Sequence, residues 1–190
     1  RSSLGTSVAL FVSSLVAILI YPIGFGFDHF IHVAAEQIIA TQGSLTPAPL
    51  FYSGYYGLVG LLATIPGITV AFADRLIVPL FVAIAVVLFI QRSFRVLIPN
   101  RATIIAVSSL IIVPFLPFAV STPQALANAL GLVTVFLLIT NASRRSTIIA
   151  ALATFLAQPI TGIPIAITIV AAWLMGHRRR TIGACIAALG

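Results

Sequence analysis

The sequence predicts an all-α fold: a polytopic transmembrane helical bundle with an external amphipathic interfacial helix and a broken, re-entrant-type helix pair. Three observations carry this. Of 190 residues, 61% are hydrophobic and only 7% charged, with a mean hydropathy of +1.20. Soluble domains are about a quarter charged, and a water-soluble chain of this size has too little interior to hide so much apolar surface. The apolar stretches are continuous rather than alternating in strands of about ten residues, so the pattern is not that of a membrane barrel. Helices then satisfy the backbone in lipid. All ten basic residues are Arg, set against Asp28, Glu36 and Asp74, for a formal charge of +7. In a soluble chain that excess would indicate nucleic acid. Between apolar spans it is the Arg bias of cytoplasmic loops, so nucleic acid is rejected as a partner and the lipid bilayer is expected.

The elements follow in order. Residues 7–24 form a first span. It is retained rather than removed as a leader, because Tyr21-Pro22-Ile23-Gly24 is no small-residue cleavage site. Residues 25–50 form an external loop. Residues 51–66 are apolar but short and glycine-rich, a tilted short span or an interfacial segment. Val70–Ile90 is a span with Asp74-Arg75 near its start. Thr103–Val120 and Leu126–Ile139 are further spans around the polar turn Ser121–Gln124. Thr147–Met175 is apolar but broken at Gln158–Pro164, where Pro159, Gly162 and Pro164 predict a non-helical separator between two short helices. The whole is one transmembrane domain over 1–190, expected to be an N-terminal fragment cut at both ends: residue 1 is Arg and Thr181–Gly190 is about half a span. Cys185 is the single cysteine, so no internal disulfide forms.

Arginine sets the orientation. Arg92, Arg95 and Arg101, then Arg144 and Arg145, then Arg178–Arg180, all go to the cytoplasm. The three carboxylates and Arg75 then lie outside, provided that residues 51–66 do not cross fully. The expected localisation is a multi-pass protein of a prokaryotic plasma membrane with the Asp28 loop external.

Candidate chemistry concentrates in that loop. Wound at about 100° per residue, Asp28, His29, His32 and Glu36 share an arc of about 100°. Phe27, Phe30, Ile31, Ala34, Ala35 and Ile38 take most of the other side. This predicts an amphipathic helix from Asp28 to about Thr41, stopped by Gly43, lying at the interface. Two readings stand for its polar face. In one, Asp28 is an N-cap and the others face water. In the other, Asp28 is a catalytic carboxylate with His32 and Glu36 as neighbours. Asp28 and His32 at i, i+4 could pair on a metal, but no strong third ligand joins them except Glu36. No metal or other cofactor is therefore expected; a divalent cation is not indicated. Tyr52, Tyr55 and Tyr56 are an interfacial aromatic belt or a stacking wall for a sugar or an isoprenoid chain. Asp74-Arg75 is a self-neutralising pair, or Arg75 holds a phosphate through its planar fork of donors.

This order of features resembles the GT-C superfamily of integral-membrane glycosyltransferases over about residues 7–180. The parts are an early loop acid in Phe27-Asp28-His29-Phe30-Ile31-His32 and a proline turn into aromatics at Thr46-Pro47-Ala48-Pro49-Leu50-Phe51-Tyr52. An Arg then opens a span in Phe72-Ala73-Asp74-Arg75-Leu76, and that span ends in Gln91-Arg92-Ser93-Phe94-Arg95. Gln158-Pro159-Ile160-Thr161-Gly162 is similar to a His-Pro-containing turn of relatives. The resemblance implies transfer of a sugar from a polyprenyl-phosphate carrier to an acceptor on the external face, the acceptor itself being undefined. It implies Asp28 as general base and Arg75 near the carrier phosphate, with His29, Tyr52 and Tyr55 as further substrate-binding candidates. Two features depart from it: His29 follows Asp28 where many members carry a second acid, and Ser121–Gln124 holds none. The rival readings are a small-solute transporter or permease using the break at 158–164, and a non-catalytic membrane subunit.

Overall fold

The computed structural model describes residues 2–20, 28–46, 51–97 and 120–175. Among these, every regular element is helical and there is no strand. α1 is Ser2–Ile20, α2 His29–Gln42 and α3 Ser53–Ala63. α4, Val70–Phe81, runs through a π-helical turn, Val82–Val86, into α5, Val87–Leu97. α6 is Pro123–Ile139, α7 Arg144–Ala157 and α8 Pro159–Met175. Nearly all of the span expected at 103–120 lies outside the described residues, as do Arg101, the cluster at 177–180, Cys185, residues 21–27 and the prolines at 47 and 49.

Local chemistry sets the boundaries. Gly43 takes the left-handed conformation (φ 76°) and its N–H closes α2 on the Ile39 carbonyl. Thr69 caps α4 by accepting from the Phe72 N–H. Thr122 caps α6 and Pro123 follows at the first helical position, where its missing N–H costs nothing. Ser143 caps α7 in the same way. Asp28 occupies the N-cap position of α2 but its side chain makes no capping bond, so the expected cap is not formed.

Pro79 lies inside α4. It has no N–H to give to the Arg75 carbonyl one turn back. Ser121 Oγ donates to that carbonyl instead, at 3.2 Å, and the π-helical turn begins three residues after the proline. The helix nevertheless continues: Val70–Ser93, 24 residues, is long and apolar enough to cross a membrane. The apolar helices Ser7–Val16, Pro123–Ile139 and Pro159–Leu174 are shorter.

The break between α7 and α8 is narrower than the sequence predicts. Gln158 alone is extended (φ −159°, ψ 116°), and Pro159–Pro164 is helical. Pro159 sits at the start of α8, where no donor is needed, and Pro164 is absorbed inside the helix. One extended residue suffices because Gly162 lets α8 close onto α7: a Cβ there would overlap the Phe155 backbone. The Arg144 guanidinium, at the start of α7, stands 5.5 Å from the Trp173 ring centroid near the end of α8, so the two helices run antiparallel.

α4 and α6 start side by side, joined through Ser121, and α5 packs on α6. Both therefore run the same way. α7 returns, and Gly54 at the start of α3 packs directly on Leu156 at its end. One end of the molecule thus gathers the starts of α2, α3, α4 and α6 with the α7–α8 break. Arg92, Arg144 and Arg145 lie at the other. The core between them is built from Val59, Val78, Val82, Val86, Val87 and Leu126.

Candidate functional site

α2 lies across α3 and α4 with its polar arc turned inward, not toward water. His29, His32 and Glu36 are buried, while Phe30, Ile31 and Ile38 are exposed. The arc itself is as the sequence predicts, but the reading in which it is a solvated face is overturned. The physical reason is a set of partners in α3, α4 and the Ser121 turn that no local pattern reveals.

Those partners form two connected groups. In the first, Asp74 accepts from the Tyr55 hydroxyl at 2.7 Å, and its other oxygen lies 3.2 Å from His29 Nδ1. The same Nδ1 is 2.8 Å from the Ser121 carbonyl. A carbonyl only accepts, so Nδ1 carries the hydrogen. Glu36, on the turn after His32, reaches toward Asp74, yet neither of its oxygens has a hydrogen-bond partner. Burial pushes the Glu36 carboxyl up to about 9, and the neighbouring Asp74 charge adds to this.

In the second group, His32 Nδ1 is 2.9 Å from the Tyr56 hydroxyl, and its Nε2 is 3.5 Å from Asp28 Oδ2. Burial lowers the His32 pKa, against the Asp28 charge, which raises it. The Asp28 side chain is 56% exposed. It is the one carboxylate of the described residues that reaches the surface. The Tyr52 ring meets the His32 ring edge-on, centroids 5.2 Å apart. Tyr52 itself holds a left-handed backbone, φ 71°, a conformation that costs a non-glycine residue about 1–3 kcal/mol.

Asp74 and Arg75 do not neutralise each other. Neighbours on a helix point about 100° apart, and here they part ways. Asp74 faces Tyr55 and His29 inside. Arg75 donates from Nε to the Ala71 carbonyl at 3.0 Å and lines a surface pocket of about 200 Å³ with His29, Phe30, Val33, Ala34, Gln37 and Ala71. His29 belongs to both places: it is among the residues lining the pocket, and its Nδ1 faces the buried Asp74.

Of the seven site residues expected from sequence, the structure gathers all into this corner. It puts His29 and Arg75 in one pocket, Asp28, His32 and Tyr52 in one surface cluster, and Glu36 and Tyr55 in the interior. It adds Asp74, Tyr56 and the Ser121 carbonyl. One signal for inward burial was present: the face opposite the polar arc is largely apolar and carries no charge, and charged groups of a helix in an apolar setting turn toward protein partners. Among the described residues, no three His, Cys, Asp or Glu side chains are grouped to hold a metal. No family model matches the chain, and neither curated proteins nor solved structures give a match.

Proposed function

We propose that this chain is the multi-pass membrane portion of a glycosyltransferase of GT-C type, moving a sugar from a polyprenyl-phosphate carrier to an acceptor on the external face of a prokaryotic plasma membrane. The observation that carries the reading is the pocket holding Arg75 and His29 beside the exposed Asp28. Arg75 is, among the described residues, the one guanidinium at the acidic end of the helices, and a guanidinium is suited to a phosphate. At about 200 Å³ the pocket falls below the roughly 300–1,000 Å³ of sites that enclose a whole ligand. It suits a headgroup whose lipid remains in the bilayer.

The charge distribution supports the orientation. Arg92, Arg144 and Arg145 sit at the end opposite the three acids, as cytoplasmic arginines would. α3 has 11 residues, about 16 Å at ~1.5 Å each, half of a hydrocarbon core of about 30 Å. A helix that short does not cross upright, which is the condition the orientation needs. Phe30, Ile31 and Ile38 of α2 would then rest on the acyl boundary.

In this reading Asp28 takes the acceptor proton, His32 and Tyr56 hold its surroundings, and Arg75 with His29 binds the carrier phosphate. Glu36 is withdrawn from contact with substrate. The test is sugar transfer from a polyprenyl-phosphate donor by the full-length protein in membranes. Asp28→Asn should lower the rate by on the order of 10²–10⁴, and Arg75→Gln should raise the KM for the donor. Near-normal transfer by Asp28→Asn in an active enzyme sinks the assignment of the base.

One observation favours the transporter. Thr161 Oγ lies 3.4 Å from both Asn128 Oδ1 and Gln158 Oε1, a polar meeting point of three helices at a break. That break, however, lies at the same end as α2, beside Gly54, rather than half-way along the helices. Solute uptake by proteoliposomes that Gln158→Leu abolishes, with no sugar transfer, would decide for transport.

A further inference from the structure

Two buried carboxyl groups face each other across α2 and α4, and the hydrogen-bond donors around them are distributed unequally. Asp74, fully buried, receives one hydrogen bond, from the Tyr55 hydroxyl at 2.7 Å, and its other oxygen lies 3.2 Å from His29 Nδ1, whose hydrogen is directed to the Ser121 carbonyl. Glu36, 3% exposed, receives nothing on either oxygen, and Asp74 Oδ2 has no full hydrogen bond either. A hydroxyl donor stabilises the carboxylate that receives it, and a carboxyl without donors in a dry site stays neutral. Two adjacent acids with one proton between them satisfy both conditions.

We propose that Glu36 and Asp74 form a proton-binding site: a carboxyl–carboxylate pair holding a single proton, exchanged with the Arg75 pocket through His29. Glu36 carries the proton and Asp74 the charge. His29 bridges the two environments because the residue lines the pocket and its Nδ1 lies against Asp74. When the Nδ1 hydrogen, shared with the Ser121 carbonyl, passes to Asp74 and the other ring nitrogen takes one from the pocket side, His29 is left as its Nε2–H tautomer and the pair holds a second proton. The reverse transfer returns a proton to the pocket and restores both the Nδ1–H tautomer and the singly protonated pair.

The other titratable groups facing the pair among the described residues are few. α2 contributes His32 and Asp28, which face each other. α3 contributes Tyr55 and Tyr56, the latter engaged by His32. α4 contributes Arg75, turned outward to the pocket. The Ser121 turn contributes a carbonyl. Among the described residues no arginine lies close enough to either acid to form an ion pair, and the basic group within reach is the His29 ring, so a second negative charge has no fixed cation to compensate it. The raised Glu36 pKa, driven first by burial, agrees with this arrangement. The inference depends on neither the sugar nor the carrier.

The experiment is an infrared titration of the full chain in lipid nanodiscs, without substrate, reading the C=O stretch of a protonated carboxylic acid. A band should persist at neutral pH, where ordinary carboxyls are ionised, and vanish as pH rises through about 9. Glu36→Gln should abolish it, Asp74→Asn should keep it at a shifted frequency, and Asp28→Asn should leave it unchanged. His29→Phe should slow its exchange in deuterated water. Absence of the band at neutral pH, its survival in Glu36→Gln, or an unshifted frequency in Asp74→Asn overturns the pair. Unchanged exchange in His29→Phe overturns the route through His29. Loss of the band on adding sodium or calcium at fixed pH overturns the proton as occupant and indicates a cation. The wild-type titration and Asp74→Asn decide the matter even if Glu36→Gln does not fold.

Discussion

The corner of α2, α3 and α4 and the triad of α6, α7 and α8 bury polar groups by opposite means. In the triad the buried polar residues are mainly threonines, and each answers to its own helix. Thr134 donates to Leu130, Thr154 to Ala150 and Thr168 to Pro164, all four residues back and at 2.8–2.9 Å. In the corner the bonds span the chain: His29 to the Ser121 carbonyl, 92 residues away, His32 to Tyr56, 24 away, and Tyr55 to Asp74, 19 away. A threonine that back-bonds is satisfied wherever its helix goes. A histidine or carboxylate bonded across elements is satisfied only in one tertiary arrangement, and a mismatch leaves a buried group unpaired. The corner also retains unsatisfied atoms on Glu36 and Asp74, a cost that packing alone does not explain. Polar groups satisfied by their own helix and polar groups that depend on distant partners are thus spatially separate here.

The contrast breaks most severely at Asp74. Asp74→Ala should cost about 3–5 kcal/mol, because a buried ionic partner is removed and its donors are stranded. Chemical unfolding in detergent reads this, and a change under about 1 kcal/mol would mean that the corner is not a coupled network. The next effect is that of pH. Glu36 has a folded pKa raised from 4.5 to about 9, so the stability it contributes is present below 4.5 and lost as pH rises to about 9. His32 is lowered from 6.5, so its contribution is lost as pH falls below that value and is constant above it. From about pH 7 to 9 stability should therefore fall, by at most about 1.4 kcal/mol per pH unit for one proton. Thermal melts at several pH values test the slope, and Glu36→Gln should flatten it.

Two substitutions at fully buried hydroxyls sharpen the comparison directly. Tyr55→Phe deletes the donor to Asp74 and should cost about 1–3 kcal/mol. Thr154→Val deletes a hydroxyl of equal burial that serves only its own helix, and should cost less than about 1 kcal/mol. Equal losses in paired unfolding measurements would erase the distinction between the two regions.

Much of the fold was legible in the chain. Gly43, Thr122-Pro123 and the Gln158-Pro159 break mark boundaries through φ preferences and missing donors, which act within a few residues. The polar arc of α2 was legible for the same reason: a helix of fixed pitch puts positions 28, 29, 32 and 36 on one side whatever surrounds it. The direction in which that arc faces was not. It depends on Tyr55 and Tyr56 arriving from α3, on Asp74 turning away from Arg75, and on the Ser121 carbonyl arriving from the far side of residues 98–119. The freed Arg75 carbonyl shows the same division. Pro79 dictates by its chemistry that one acceptor goes unpaired, and only the packing of α6 against α4 decides that Ser121 fills it. Composition, periodicity and turn chemistry are short-range and determined the helices; the pairing of acids with donors is long-range, and only the tertiary structure decided it.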